Sequence, residues 1–430
     1  MVQKMREAVR ALRRHSLLEN TVMLYVLQFS TMALGMVTQG YQQRVLGMEM
    51  VGTLGAAQYT TNFFQIFIDF GFILSATAKA SRCREDKEEL GRVLSRVIAA
   101  KGLFIGASAA VLLGFVCPRL ADGREALAYL FYLFSVAMMA LLPDFLYRGI
   151  EQMAAITVRA VAIKVFATVM VFLFVREPGD YYRVPLFTAL GNAGALAFVY
   201  WHLYRKVGVR FRRVSPRSVW DEIRESSQFF LAKAANAVNA NLNGVLLKQI
   251  TGSASAGMYT NADRVIAVAR NGMSPIADSL YPHMMKHRNF SIVKKALLFV
   301  YPVILAGCAA VFVFAKPLLV LWLGPEGEQV AAPLRLLMPV AVFCFPNYVL
   351  GHPTLGAMGL VKYANMSVVF GTAVYLLGAG LAYFAVGINW VSLCLLSSVT
   401  EFSILVFRVA VIVKNRKLLK SEAQEEPVER

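Results

Sequence analysis

Polar side chains recur at helical spacing inside otherwise apolar stretches of this sequence. One stripe runs through residues 58–69, and at about 100° per residue its members share a narrow face of one helix. They are Gln58, Asn62, Gln65 and Asp69. A lipid-facing helix does not carry such a stripe, because a polar group in hydrocarbon needs a hydrogen-bond partner within the protein. Amides bind hydroxyl groups, so the stripe predicts one wall of a wet cavity.

A second polar stripe adds a positive charge. Its members fall within an arc of roughly 120° on one helix. They are Lys233, Asn236, Asn239 and Asn243. Lys233 lies only about two turns inside the apolar stretch, from where its ammonium group could snorkel to the membrane surface. The three asparagines that continue the stripe favour a cavity face instead.

Arg270 stands near the middle of the next apolar stretch. An arginine at the bilayer centre costs about 2.5–3.5 kcal/mol on insertion scales, so such residues face a cavity or a charged partner. Asp263 lies about two turns away on the same face. Two interpretations stay open, a contact with an anionic substrate and a structural ion pair.

Several further polar groups complete the set of candidate site residues. Additional cavity candidates are Gln28, Arg44, Lys101 and Lys164, with Arg44 expected at the outer rim. Candidate groups for coupling to H⁺ or Na⁺ are Asp69, Asp263 and Asp278. The sequence has no Walker motif, dinucleotide-binding loop or nucleophile elbow, and we expect no metal site and no cofactor. A transporter that is not an enzyme is therefore favoured.

The stretches that hold these residues are typical of membrane helices. The chain has 430 residues, of which 57% are hydrophobic and 16% charged, and long apolar runs recur throughout, which excludes a soluble globular class. The runs predict an all-α polytopic membrane protein with about 12 transmembrane helices. Their centres are Ala33, Gln65, Ile105, Val136, Val165, Leu190, Asn239, Ala267, Leu305, Phe343, Val374 and Ser403.

The net charge of +18 could suggest nucleic acid, but the placement of the cations indicates membrane topology. With the amino terminus inside, the short cytoplasmic segments hold 29 Lys and Arg residues and the outer loops hold six. This imbalance follows the positive-inside rule. We therefore expect a multi-pass membrane protein with both termini in the cytoplasm and no nucleic-acid partner.

The chain divides into two similar halves. Residues 1–19 form a cytoplasmic lead, 20–205 an N-lobe of helices 1–6, 206–225 a basic linker, 226–413 a C-lobe of helices 7–12, and 414–430 a tail. An offset of 205 residues aligns Gly47 with Gly252 and Gly52 with Gly257. The match predicts a duplication that gives two pseudo-symmetric six-helix lobes around a central cavity.

The chain resembles the polysaccharide-transport flippases of the multidrug, oligosaccharidyl-lipid and polysaccharide exporter superfamily. The resemblance is carried by QGYQQRVLGMEMVGTLGAAQY at residues 39–59 and FIDFGFILSATAKASRCREDKEEL at residues 67–90. Supporting matches are LLKQITGSASAGMYTNADRV at 246–265 and PLLVLWLGPEGEQVAAPLRLL at 317–337. Where the family usually has a proline shortly before the first-helix arginine, this chain has Gly40 and Tyr41.

The resemblance implies that the protein moves an isoprenoid-pyrophosphate-linked oligosaccharide across the membrane by alternating access, for surface polysaccharide biosynthesis. It also implies a cationic cavity, for which Arg44, Lys233 and Arg270 occupy suitable positions. Two alternatives remain. A cation-coupled multidrug exporter of the same superfamily would favour acidic cavity residues, and a membrane polymerase or glycosyltransferase would need a sizeable outer loop.

Overall fold

The computed structural model describes residues 2–120, 122–150, 153–227, 230–287, 290–385 and 387–416. Within these ranges the chain forms sixteen α-helices and no strand. They are α1 (Val2–Asp69), α2 (Phe72–Arg82), α3 (Lys87–Val111), α4 (Gly123–Ala140), α5 (Asp144–Gly149), α6 (Met153–Phe174), α7 (Arg183–His202), α8 (Pro216–Ser226), α9 (Phe230–Thr251), α10 (Ser253–His287), α11 (Phe290–Lys295), α12 (Tyr301–Val313), α13 (Ala315–Leu323), α14 (Gly327–Val349), α15 (Val361–Ala385) and α16 (Trp390–Lys414). The side chains of residues 2–31 lie outside the description.

The protein is an all-α polytopic membrane protein, as the sequence predicts. Over the described residues, seven helical segments are long and apolar enough to cross a membrane. They are Lys87–Arg119, Gly123–Gly149, Pro178–Val207, Phe290–Val313, Gly327–Leu355, Val361–Ala385 and Trp390–Lys414. The other five predicted spans fall on α1, α6, α9 and α10, all of which carry candidate polar residues discussed above. The total of twelve stays a prediction.

The contacts of the chain define two compact units. The first consists of Met1–Val45 and Phe72–Ser226, and the second of Leu46–Gly71 and Ser227–Arg430. The boundary inside α1 falls beside Gly47, where the backbone leaves helical geometry. The predicted lobe boundaries place residues 46–71 in the N-lobe, and those boundaries stay a prediction.

Helix pairs form the core of the first unit. Helix α7 packs against both α4 and α6, and α2 packs against α5. Buried Asn192 of α7 donates to the Ser135 hydroxyl at 2.9 Å and to the Ser135 carbonyl at 3.2 Å. A buried amide needs such partners, and these bonds fix α7 against α4 at the depth of their middle turns.

The basic linker is anchored to the first unit by charge and by close backbone contact. Glu222 of α8 is 1% exposed and lies 2.9 Å from Lys79 Nζ, which also lies 2.7 Å from Glu225. Burial lowers the pKa of Lys79, but its hydrogen bonds with Glu225 and Glu222 more than offset this and leave the pKa above its ordinary value. Where the linker crosses α3, the backbone of Arg212 donates to Ser95 Oγ at 2.8 Å.

In the second unit, α14 packs against α10 and α16, and α15 packs against α16 and α9. Helix α14 contains Pro333, Pro339 and Pro346, and a π-helical segment, Leu350–Leu355, follows it. Gly351 inside that segment has ψ of −118° and breaks the helix. Broken helices are tolerated in a membrane where surrounding protein satisfies the freed backbone groups.

Candidate functional site

The site is built on a crossing between residues 47–60 of α1 and residues 252–265 of α10, all within the second unit. Each segment begins at a glycine with positive φ, 77° at Gly47 and 94° at Gly252. This left-handed region suits glycine because it has no Cβ to clash with the backbone. The offset of 205 predicts that the two positions are equivalent, and both glycines have positive φ.

The next glycine of each segment makes the same contact with the other segment. A Cβ added to Gly52 would lie 1.8 Å from the Ser253 carbonyl oxygen, and one added to Gly257 would lie 2.2 Å from that of Met48. Met48 and Ser253 are themselves 205 residues apart. The two contacts are therefore reciprocal, as a local two-fold axis between duplicated segments requires.

The same reciprocity continues about two turns further along each helix, where the contacts become polar. The Tyr59 hydroxyl donates to Asp263 Oδ2 at 3.0 Å, and Arg264 Nη2 donates to Gln58 Oε1 at 3.2 Å. Under the offset of 205, Tyr59 is equivalent to Arg264 and Gln58 to Asp263. The two hydrogen bonds thus join equivalent positions through different chemistry, one with an anion and one with a cation.

Arg270 and Asp263 form the charged centre of this site. Arg270 Nη2 donates to Asp263 Oδ1 at 3.0 Å, and the side chains are 29% and 15% exposed. Asp263 thus accepts from Tyr59 with one oxygen and from Arg270 with the other. Arg270 Nε is buried and has no hydrogen-bond partner among the described residues. The guanidinium group therefore keeps donor capacity beyond its ion pair, and that capacity could bind oxygens of an anion.

Amides surround this pair on α1 and α9. Asn62 Nδ2 donates to Asn241 Oδ1 at 3.0 Å, which links the first predicted stripe to α9. Asn239 Oδ1 is buried without a partner among the described residues. Gln65 and Asp69 are half-buried one and two turns further along α1. These groups can offer hydrogen bonds to the hydroxyl groups of a polar ligand.

Asn243 has a different environment. It is fully buried, and its Nδ2 donates to the Tyr259 hydroxyl at 2.9 Å and to Ser397 Oγ at 2.8 Å. The Tyr375 hydroxyl donates to Asn243 Oδ1. The amide of Asn243 thus forms hydrogen bonds with side chains of α10, α15 and α16, and these bonds fix the three helices against α9.

The predicted site residues of the first unit lie apart from one another. Lys101 is buried on α3, and its Nζ donates to the Ala140 carbonyl at 2.7 Å, which caps the end of α4. Lys164 is exposed on α6, where a Cβ added to Gly35 would lie 3.7 Å from Lys164 Nζ. Arg44 is exposed on α1, three residues before Gly47. The structure does not join these three cations in one cluster.

Four predicted residues have no described side chain. They are Gln28, Lys233, Asn236 and Asp278, whose side chains lie outside the described part of the structure. Their assignment to the cavity or to ion coupling stays a prediction. The described residues contain no group of three His, Cys, Asp or Glu side chains that could hold a metal ion.

Sequence reasoning missed the tyrosines that complete these networks. Tyr59 follows Gln58 and gave no signal of its own, because an aromatic residue in an apolar helix is usually core. Its partner Asp263 was a candidate, so a search for hydroxyl donors on facing duplicated segments could have found it. Tyr259 and Tyr375 were missed for the same reason.

A second charged cluster of this unit joins α14, α15 and α16. Arg408 is buried, its Nε donates to Ser367 Oγ at 2.9 Å, and its guanidinium group also donates to the Asn347 carbonyl. Asn347 Nδ2 donates to Glu401 Oε2 at 2.8 Å. The sequence places Glu401 and Arg408 on one face of α16, and the cluster secures that face to its neighbours.

Comparisons with known proteins agree with this architecture. The chain is 23% identical over 375 residues to a putative O-antigen transporter of Shigella dysenteriae, covering 84% of this chain and 91% of the relative. A multidrug resistance MATE family transporter of the MOP superfamily superposes with a TM-score of 0.71 at 14% identity, covering 93% of this chain and 99% of that one. The lipid II flippase MurJ gives 0.69 at 11% identity, covering 94% and 91%.

These structures share the fold of the MOP superfamily with this chain, as the resemblance in the sequence predicts. The model of one family, described as polysaccharide biosynthesis protein, matches residues 17–287. That match spans α1 to α10 and includes the glycine crossing and the Arg270–Asp263 pair. The chain therefore belongs to the polysaccharide biosynthesis protein family.

Proposed function

We propose that this protein is a flippase that moves an isoprenoid-pyrophosphate-linked oligosaccharide across the bacterial cytoplasmic membrane by alternating access. The observation that carries the proposal is the Arg270–Asp263 pair, in which a partly exposed cation on a predicted membrane helix keeps a buried donor in reserve. The names of similar proteins support the same function, since a sequence relative is named a putative O-antigen transporter and a structure of similar fold is named a lipid II flippase.

The chemistry of the pair suits a pyrophosphate. A guanidinium group binds phosphate oxygens through several parallel N–H donors, whereas one carboxylate uses only part of that capacity. An incoming pyrophosphate can share Arg270 with Asp263 or displace the carboxylate, which still holds its bond from Tyr59. The amides of Asn62 and Asn239 lie on the helices beside the pair, where they can bind sugar hydroxyls.

Alternating access requires the glycine crossing to open during the cycle. The positive-inside pattern predicts that Gly47 and Gly252 lie at the outer membrane face. We expect the contact between Gly52 and Ser253 to close that face and to separate when the substrate leaves. Coupling of this motion to H⁺ or Na⁺ stays a prediction, with Asp263 as one candidate.

The charge assignment is tested with Arg270→Gln in cells that depend on this protein for their surface polysaccharide. We expect lipid-linked oligosaccharide to accumulate on the inner leaflet while the amount of protein in the membrane stays unchanged. Arg264→Gln is the matched control, because Arg264 lies on the same helix and bonds an exposed Gln58. Normal surface polysaccharide in the Arg270 variant would overturn the assignment.

The motion is tested with a cysteine pair at positions 53 and 253, where the native hydroxyls lie 3.1 Å apart. Thr53→Cys together with Ser253→Cys should form a disulfide under oxidation and stop transport, and reduction should restore it. Each single substitution serves as a control. Transport that continues at full rate with the disulfide formed would rule out opening at this crossing.

A further inference from the structure

A groove of about 560 Å³ runs between α6 and α7 of the first unit. Its walls are apolar, and Phe166, Leu190 and Phe198 remain exposed along it. Helix α7 lies in one of the seven apolar segments long enough to cross a membrane, and the sequence predicts that α6 spans it too, so we expect these exposed side chains to face lipid. An occupant of the groove therefore enters from the bilayer and has an apolar body.

Glycines make room along this groove. A Cβ added to Gly191 would come within 3.2 Å of Ile163 and of Phe166, so the absent side chain lets α6 and α7 approach closely. A Cβ added to Gly194 would meet nothing within 4 Å, although Gly194 lines the groove. The space beside Gly194 is thus part of the cavity, and a larger side chain there would fill it without displacing protein atoms.

One end of the groove is polar. Arg159, Tyr147 and His202 line this end. Arg159 Nη2 lies 2.7 Å from Asp144 Oδ1, and the Tyr147 hydroxyl lies 2.8 Å from His202 Nδ1. These residues lie on the first turns of α6, on α5 and at the end of α7, beside the cations of residues 205–224. The positive-inside pattern predicts that this end faces the cytoplasm.

Arg159 keeps a donor for a ligand at this polar end. Its side chain is only 9% exposed, and its buried Nε has no hydrogen-bond partner among the described residues. Asp144 accepts from Nη2 of the guanidinium group, and Arg159 lines one end of the apolar groove. A buried N–H without a partner costs free energy, which an anionic oxygen in the groove would recover.

We propose that this groove holds the isoprenoid chain of the lipid-linked substrate in the inner leaflet, with its phosphate at Arg159, before the head group is transported. The proposal rests on the proposed function and names the entry site for the same substrate. The charge at one end fits a phosphate, and the apolar length fits a lipid tail. The open space beside Gly194 accommodates the methyl branches that distinguish an isoprenoid from a straight acyl chain.

The groove is tested by photo-crosslinking with a diazirine-tagged polyprenyl monophosphate. The purified protein is reconstituted in vesicles of phosphatidylethanolamine and phosphatidylglycerol, and labelled peptides are mapped by mass spectrometry. We expect labels on α6 and α7 next to Gly194. Gly194→Leu should reduce this labelling about tenfold, because its side chain excludes one or two methylene-sized groups from the groove.

Gly106→Leu is the matched control, since Gly106 is an exposed glycine of α3 and a Cβ added there also meets nothing within 4 Å. This variant should retain its labelling within about twofold. Equal labelling of the wild type and Gly194→Leu would overturn the proposal. Labelling that phosphatidylglycerol displaces as well as unlabelled polyprenyl phosphate does would also overturn it, because the groove would then hold an ordinary phospholipid.

The head-group part is tested with Arg159→Lys, which keeps the charge and the pair with Asp144 but removes Nε. We expect polyprenyl phosphate to compete about tenfold more weakly in this variant, and the uncharged polyprenol to compete as it does in the wild type. An unchanged phosphate preference would contradict the role of Arg159. Failure of the proposed function itself is recognised separately, because Arg270→Gln would then leave lipid-linked glycan unchanged in cells whatever the labelling of the groove.

Discussion

Residues 47–60 and 252–265 have nearly the same backbone contacts and different chemistry. Both begin at a left-handed glycine and both place a second glycine against the carbonyl of the other segment. About two turns further along, the first segment presents a neutral Gln58 and Tyr59, and the second presents the charged Asp263 and Arg264. The backbone contacts of the two duplicated segments are thus the same, whereas their polar side chains differ.

The difference shows which positions are constrained by close backbone contact and which are constrained only by side-chain chemistry. A carbonyl oxygen that would lie 1.8 or 2.2 Å from an added Cβ admits glycine alone. Neither glycine of this duplicated contact can therefore be replaced by a residue with a side chain. The polar positions face one another through longer side chains and can exchange roles. Once one segment carries the ions, the other needs only neutral partners for them, and the binding charge becomes concentrated on α10.

The largest effect should come from breaking the shared backbone contact. Gly52→Ala and Gly257→Ala each place a methyl group inside contact distance of a carbonyl that belongs to a helix. We expect each to lower the free energy of unfolding by about 3 kcal/mol, and by similar amounts because the contacts are reciprocal. Thermal unfolding in detergent, followed by tryptophan fluorescence, measures both.

Gly272→Ala is the control for these variants. Gly272 lies on the same helix as Gly257, and a Cβ added there meets nothing within 4 Å. Because alanine favours the helix, this substitution should raise stability by about 0.5–1 kcal/mol. If the two crossing variants unfold at the temperature of the control, the glycine contact does not hold the segments together.

A second and smaller effect should appear on the diverged side. Asp263→Asn leaves Arg270 without its anion, and partial exposure of the pair limits the loss to about 2 kcal/mol, below the cost of breaking a fully buried pair. Arg270→Gln should cost about as much, and the double variant should recover about 1–2 kcal/mol of the summed loss. Additive losses in this double-mutant cycle, measured by the same unfolding experiment, would show that the pair is not coupled.

The sequence predicted the parts of this comparison that depend on pattern. The offset of 205 identified Gly47, Gly52, Gly252 and Gly257, and helical spacing placed Asp263 on the face of Arg270. These predictions were possible because glycine positions and a charge in an apolar helix are rare enough to carry information. The ion pair that sequence reasoning left open between two interpretations is formed, with a donor of Arg270 still in reserve.

Other parts could not be predicted because they depend on helices far away in the chain. Asn243 continues a cavity stripe by spacing, but its amide is occupied by Tyr259, Tyr375 and Ser397, the last two more than 130 residues distant. Helical periodicity defines a face and does not say which helix covers it. Arg159 illustrates the same limit, because the structure buries it on α6 at the end of a groove whose other wall is α7.

Tyr59→Phe sharpens the comparison by removing one hydrogen bond from the charged side. Asp263 loses its second donor and keeps Arg270, so we expect a loss of about 1 kcal/mol in unfolding free energy. The ring should stay in place, because a Cβ added to Gly244 would overlap it at 2.0 Å and the helices are packed around it. Tyr59→Ala is the contrasting variant and should cost several times more through the lost ring. Similar losses for Phe and Ala would assign the effect to packing instead of the hydrogen bond.

Gln58→Ala tests the equivalent bond on the neutral side and should have the smallest effect. Gln58 is exposed and accepts one bond from Arg264, so its removal should change stability by no more than about 0.5 kcal/mol. Transport should remain close to that of the wild type, because the charge on α10 is untouched. The measurement is the ratio of the Gln58→Ala and Tyr59→Phe losses in one unfolding series. A ratio near one would mean that the two equivalent bonds contribute equally, and the division of chemistry between the duplicated segments would then have no energetic basis.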